Sequence, residues 1–306
     1  MSELTVLASG LRFPEGPIAM PDGSVLVVEI ARGTLSRVAD GEVSVVAELG
    51  GGPNGAAIGP DGACYICNNG GFGWIETRNR IFPGDEPENY SGGRIEKVDL
   101  ATGEIHLLYT HCDGQPLRGP NDIVFDQYGG FWFTDHGKTR SRERDRTGVF
   151  YAKADGSFIE ESIFPMEGPN GIGLSPAEDE LYIAETTTGR LWAYALDAPG
   201  SIRDARSDKL DGGRLVDGRS GYFLFDSLAV TADGKVCVAT IIDGGITILD
   251  PAGGRASHVP MPDTVTTNIC FGGEDLKTAF ITLSSTGQLV SIPWESAGLP
   301  LNFLNK

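Results

Sequence analysis

Gly168-Pro169-Asn170-Gly171-Ile172-Gly173-Leu174-Ser175 is followed by a short acidic turn and then by Leu181-Tyr182-Ile183-Ala184-Glu185. The pattern is a polar residue, a small residue, an alternating apolar run, a turn and a second apolar run. It reads as two short antiparallel strands joined by a hairpin turn. The pattern recurs along the chain. Glu15-Gly16-Pro17-Ile18 leads through Pro21-Asp22-Gly23 into Val25-Leu26-Val27-Val28-Glu29. Asn54-Gly55-Ala56-Ala57-Ile58 leads through Asp61-Gly62 into Cys64-Tyr65-Ile66-Cys67-Asn68. Asn121-Asp122-Ile123-Val124-Phe125 leads into Phe131-Trp132-Phe133-Thr134-Asp135. Asp226-Ser227-Leu228-Ala229-Val230 and the weaker Asn268-Ile269-Cys270-Phe271 complete the set.

Further strands follow each hairpin, such as Gly33-Thr34-Leu35-Ser36-Arg37-Val38 and then Val43-Ser44-Val45-Val46-Ala47. Four strands per unit and six units predict an all-β fold, a six-bladed β-propeller of four-stranded antiparallel blades forming a single domain over 1–306. The anchors Glu15, Asn54, Asn121, Asn170, Asp226 and Asn268 lie 39, 67, 49, 56 and 42 residues apart, so insertions interrupt a constant unit. The largest insertion, Asn69 to Gly92, predicts a long loop at one mouth that serves as a partial lid. The last unit offers three clear strands. The N-terminal Leu4-Thr5-Val6-Leu7-Ala8 is expected to supply its missing outer strand and leave no open edge.

Composition agrees with many short strands, since 43 glycines and 18 prolines provide turns. A formal charge of −18, from 42 acidic and 24 basic residues, excludes nucleic acid and an anionic membrane surface as partners. The N-terminus shows no secretory signal, and no run approaches the roughly 18 apolar residues of a membrane span. Five scattered cysteines fit reduced thiols and a cytoplasmic protein. Cys64 and Cys67 have CxxC spacing, but inside a strand their side chains point to opposite faces, against a redox or metal role.

In a propeller the first strand of each blade lines the central channel, so the six anchors aim oxygen-bearing side chains at one mouth. Converging carboxylates repel unless a proton or cation intervenes. Oxygen ligands without a Cys or His cluster favour a divalent ion of the Ca²⁺, Mg²⁺ or Mn²⁺ type, with Zn²⁺ able to occupy such a site. The ends of the second strands, Glu29, Asn68, Asp135, Glu185 and Thr240, form another polar ring at the same mouth. Its residues read as turn formers bound to local backbone donors.

Phe13-Pro14-Glu15-Gly16-Pro17, Gly119-Pro120-Asn121-Asp122, Phe131-Trp132-Phe133-Thr134-Asp135, Pro169-Asn170-Gly171-Ile172 and Asp226-Ser227-Leu228-Ala229-Val230 together resemble the SMP-30/gluconolactonase/LRE family. The resemblance covers essentially the whole chain. It implies a six-bladed propeller with one divalent cation at the channel mouth, Ca²⁺ foremost with Mg²⁺, Mn²⁺, Zn²⁺ or Fe²⁺ as alternatives. It also implies a hydrolase that opens a sugar-type lactone to the hydroxy acid.

Carried over by motif, Glu15, Asn170 and Asp226 would ligate the metal, and Asn121 would be a fourth ligand or position the substrate. The cation would polarise the lactone carbonyl while Asp226 acts as general base. Asn54, Arg118 and His136 complete the substrate-facing candidates. Two departures stand out: Asp226 is followed by Ser227 where glycine is common, and Arg118 stands three residues before Asn121. Other readings of the same site are a phosphotriesterase like diisopropylfluorophosphatase, or a calcium-binding or interaction propeller without catalysis. No Gly-x-Ser-x-Gly elbow offers a serine nucleophile.

Overall fold

The computed structural model describes residues 4–203, 212–218 and 220–306. Six antiparallel sheets form the six blades of a β-propeller. Blade 1 is Pro14–Ala19, Val25–Glu29, Thr34–Ala39 and Glu42–Glu48, and blade 2 is Pro53–Ile58, Cys64–Asn68, Arg94–Val98 and Ile105–Tyr109. Blade 3 is Pro120–Phe125, Gly130–Asp135, Thr147–Lys153 and Ile159–Met166. Blade 4 is Pro169–Leu174, Glu180–Glu185, Arg190–Ala198 and Arg214–Asp217, and blade 5 is Leu224–Val230, Val236–Ile241, Gly245–Leu249 and Ser257–Pro260. Blade 6 takes Thr266–Gly272, Thr278–Leu283 and Gln288–Pro293 from the end of the chain. The N-terminal Thr5–Ser9 adds its outermost strand.

Adjacent blades share apolar cores. Trp132, Val149 and Tyr151 of blade 3 meet Ile172, Leu181 and Ile183 of blade 4, and comparable clusters fill the other five junctions. The alternation of each strand therefore serves two junctions, one on each face. Cys64 and Cys67 illustrate this, since they are buried in the clusters on opposite sides of blade 2. Burial pushes the Cys64 thiol up to about 12, so it stays protonated. All five cysteines are free and buried.

The anchors owe their direction to an irregularity that recurs in every blade. Where the first strand pairs with the second, the register shifts between Glu15 and Ile18, Pro53 and Ala56, Pro120 and Ile123, Pro169 and Ile172, Phe225 and Leu228, and Thr266 and Asn268. A bulge frees a residue from the ladder and re-aims its side chain. Asn54, Asn121, Asn170 and Asp226 lie inside the interruption, while Glu15 and Asn268 border it. The small residue after the anchor has its own cause. A Cβ on Gly55 would stand 2.3 Å from the Asn121 carbonyl oxygen, and one on Gly171 would stand 2.6 Å from that of Asp226. Neighbouring inner strands approach backbone to backbone at this height, and glycine permits it.

Candidate functional site

Glu15, Asn54, Asn121, Asn170, Asp226 and Asn268 are all buried at the start of their strands. Glu15 Oε2 accepts hydrogen bonds from Asn268 Nδ2 at 2.6 Å and from the Gly16 N–H at 2.7 Å. Across the axis, the Asn170 amide hydrogen-bonds the Asp226 carboxylate. Its Nδ2 also donates to Thr186 Oγ1 at 3.1 Å, and its Oδ1 receives only a long 3.4 Å contact from Ser227 Oγ. Asn121 Oδ1 is buried with no hydrogen-bond partner among the described residues.

The electrostatics of this group are out of balance. Burial, offset in part by the hydrogen bonds, raises Glu15 to about 7. Burial and the nearby charges of Glu15 and Asp122 hold Asp226 well above the usual carboxylate range. Among the described residues, no Lys, Arg or His forms an ion pair with Glu15, Asp122 or Asp226. Buried carboxylates with no counter-charge are unfavourable when ionised. Nor do three Asp, Glu, His or Cys side chains gather as a metal cluster among the described residues. The set here is two carboxylates and two amides. A hard divalent cation suits it, because oxygen from an amide serves such an ion as well as oxygen from a carboxylate. The unpartnered Asn121 Oδ1 and the uncompensated Glu15 and Asp226 fit that group.

The ring at the ends of the second strands looks alike in sequence and behaves differently. Glu29 accepts from the Arg12 N–H, Arg32 and Ser36, and Asn68 Oδ1 from the N–H groups of Gly52 and Gly70. Asp135 accepts from the backbone of Arg118, Gly119 and Gly137 at 2.7 to 2.9 Å. Glu185 accepts from the Glu167 N–H, Thr188 and Trp192 Nε1. Each fixes the loop that delivers a neighbouring anchor.

His136 reaches the mouth beside the start of blade 4. It hydrogen-bonds the Pro169 backbone, while its Nδ1 is buried without a partner. Burial first, then Arg144 and Lys138, lower it to about 3, so the ring is neutral. The Arg118 backbone N–H serves Asp135, and the residue, exposed, lines a cleft with Leu117, Asp145 and Glu161 that contains none of the six anchors.

Asp122 is a residue that sequence reasoning missed. It occupies the place of Gly55 and Gly171, yet its carboxylate accepts from the N–H groups of Ile123 at 3.0 Å and Ile172 at 3.3 Å. Burial and the charge of Glu15 raise it to about 8. With Asn268 it lines a channel cavity of about 110 Å³ whose walls also include Leu299, Pro300, Leu301, Asn302 and Lys306. The signal was an acid standing where the repeat places glycine.

Similar proteins agree with this architecture. The chain is 27% identical to a gluconolactonase of Zymomonas mobilis subsp. mobilis over 92% of its own length and 79% of the relative's. It is 26% identical to lactonase drp35 of Staphylococcus epidermidis over 79% of its length and 67% of the relative's. The crystal structure of regucalcin from Agrobacterium tumefaciens, described as a calcium-binding protein, superposes with a TM-score of 0.78 at 19% identity, covering 100% of this chain and 98% of that one. Residues 13–285 match the SMP-30/Gluconolactonase/LRE-like region, and the chain belongs to that family.

Proposed function

We propose that the protein hydrolyses a lactone, of the aldono type, at a centre where Glu15, Asn170 and Asp226 hold one divalent cation with Asn121 beside them. Ca²⁺ is the leading choice. The observation that carries this reading is the convergence of uncompensated Glu15 and Asp226 with the unpartnered Asn121 Oδ1. Relatives named gluconolactonase and lactonase support it. When bound, the cation would supply Lewis-acid polarisation of the lactone carbonyl.

The chain's own residues supply the rest. The Asp226 carboxylate accepts a proton from the attacking water as its oxygen bonds to the carbonyl carbon. The ring C–O bond breaks, and the same proton passes from Asp226 to the leaving ring oxygen, giving the hydroxy acid. The Asn121 Nδ2 donates to a substrate oxygen and takes no proton itself. Asn54 and the neutral His136 line the mouth and orient the ring.

The test is a pH-stat assay of five- and six-membered aldonolactones on protein stripped of metal and reloaded with one cation at a time. Turnover restored by a single cation and lost in Asp226→Asn supports the reading. Ring opening at the buffer rate in every arm overturns it, and preferential hydrolysis of a fluorophosphate reassigns the chemistry to phosphotriesters.

A further inference from the structure

A third position at the mouth follows the strand ends by one residue. Pro53 pairs with Asn68, Pro120 with Asp135 and Pro169 with Glu185, so Asn69, His136 and Thr186 hold the same place in blades 2, 3 and 4. Their N–H groups donate alike, to the carbonyls of Gly52, Gly119 and Gly168 at 2.8 to 2.9 Å. In blades 1 and 5 the place belongs to Ile30 and Ile241, which pack in one apolar cluster with Phe13 and Trp74. The polar side of the mouth is therefore the arc of blades 2 to 4. Blade 4 shows where this place points: Thr186 Oγ1 stands 3.1 Å from Nδ2 of the anchor Asn170.

The Asn69 amide has one permitted orientation. Its Oδ1 accepts from Lys138 Nζ at 3.0 Å and from the Gly71 N–H at 2.8 Å, and a backbone N–H can only donate. Lys138 is 1% exposed, and it is held in turn by the Gly71 carbonyl at 2.7 Å and the Phe72 ring centre 4.1 Å away. The lysine thus sets the amide at the root of the 69–92 insertion. Asn69 is 2% exposed, and its Nδ2, a donor, is buried with no acceptor among the described residues.

His136 is fixed in the opposite sense. Pro169 has no N–H, so the ring can only donate to its carbonyl. Nδ1 has no partner among the described residues, which puts the donated proton on Nε2. A neutral ring with its proton on Nε2 carries a lone pair on Nδ1 and accepts there. A buried donor in blade 2 and a buried acceptor in blade 3 are left open at equivalent places, on either side of the unpartnered Asn121 Oδ1 in chain order. Buried polar groups normally find partners, so orphans of both signs at one mouth call for a ligand group that donates and accepts at once. A hydroxyl is such a group.

We propose that Asn69 and His136 form a hydroxyl-recognition subsite beside the ring, Asn69 Nδ2 donating to a hydroxyl oxygen of the substrate and His136 Nδ1 accepting a hydroxyl proton. Lys138 is the positioning residue that keeps the Asn69 donor turned outward. The subsite selects a polyhydroxylated lactone over an unsubstituted one of the same ring size, because without hydroxyls both buried atoms stay unpaired. This assignment rests on the ring being the lactone-opening site.

The experiment compares two unreactive lactams, a polyhydroxylated six-membered lactam and plain 2-piperidone, by calorimetry on Ca²⁺-loaded protein. The native chain should bind the polyhydroxylated lactam about tenfold more tightly, the scale of one or two neutral hydrogen bonds. Asn69→Asp keeps the acceptor that Lys138 and Gly71 need and replaces only the donor. His136→Gln keeps a donor for the Pro169 carbonyl and removes the Nδ1 acceptor. Each should bring the ratio of the two affinities to within about threefold of one. A ratio kept in both variants would show that the two atoms serve only enclosed water, and equal weakening of both lactams would show a purely structural role; either overturns the subsite. The ¹⁵N resonance of His136 Nδ1, identified by its loss in His136→Gln, should move with the polyhydroxylated lactam and not with 2-piperidone, and a fixed resonance contradicts the proposal. Unsubstituted lactones opened without any preference between the lactams would remove the subsite and leave the lactonase reading standing. A lactam preference that depends on Asn69, with no lactone opened, would do the reverse.

Discussion

Two polar rings face the same mouth, built from the same residue types and about one hairpin apart in each blade. In the ring at the strand ends, Asp135 and Glu185 are saturated by backbone and side-chain donors. Among the described residues, in the ring at the strand starts, Asn121 Oδ1 has no donor, and Glu15 and Asp226 have no counter-charge. A fold normally satisfies its buried polar groups, and it leaves them unsatisfied where a ligand completes them. One ring therefore holds loops, and the other is the one we propose for an ion and a substrate.

The largest expected break of this symmetry is Asp226→Asn. Removing the proton acceptor should lower kcat for lactone opening by about 10³-fold, while the melting temperature of the cation-free protein does not fall, because a poorly solvated carboxylate is lost. Asn121→Ala should reduce kcat/KM by about 10²-fold, the usual scale for one lost positioning or oxyanion donor, with circular dichroism unchanged. The opposite behaviour is expected of the other ring. Glu185→Ala leaves the Glu167 N–H, Thr188 and Trp192 Nε1 without their acceptor. It should cost about 2 kcal/mol of stability in denaturant unfolding, with activity per folded molecule retained.

The remaining effect is in pH. A cation bound there would displace protons from Glu15, raised to about 7, and from Asp226, also raised, so its affinity should climb with pH through the range of Glu15. The gain is about tenfold per pH unit for each proton displaced, and it levels off above the raised values. Without cation the stability trend is the reverse. Between Glu15's ordinary value of 4.5 and about 7, the unfolded chain is ionised while the folded one keeps its proton, so stability falls as pH rises across that window. Calorimetric titration and thermal melts at pH 5, 6, 7 and 8 check both signs.

Much of this was legible in the residues. Repeats of anchor, turn and second strand are local patterns, so Pro169-Asn170-Gly171 and its relatives revealed six blades, and the lone Leu4–Ala8 run revealed how the ring of blades closes. What escaped depends on partners distant in the chain. Asp122 looks like one more turn former until the Ile172 N–H, fifty residues on, is found against it. Lys138 looks like a loop lysine, yet it is buried against Asn69 and Gly71, and the insertion it holds is tied to Ser285 at the other end of the chain. Arg118 stands close to Asn121 in sequence, yet the residue lines a cleft that contains none of the six anchors.

In the proposed mechanism the ring at the strand starts, and not the one at the strand ends, binds a single divalent ion. Isothermal titration of stripped protein with Ca²⁺ and with Mn²⁺ tests it most directly, comparing the native chain with Glu15→Gln, Asp226→Asn and Glu185→Gln. One site per chain in the native protein and in Glu185→Gln, lost in the other two variants, is the expected result. Undiminished binding in Glu15→Gln and Asp226→Asn would contradict it.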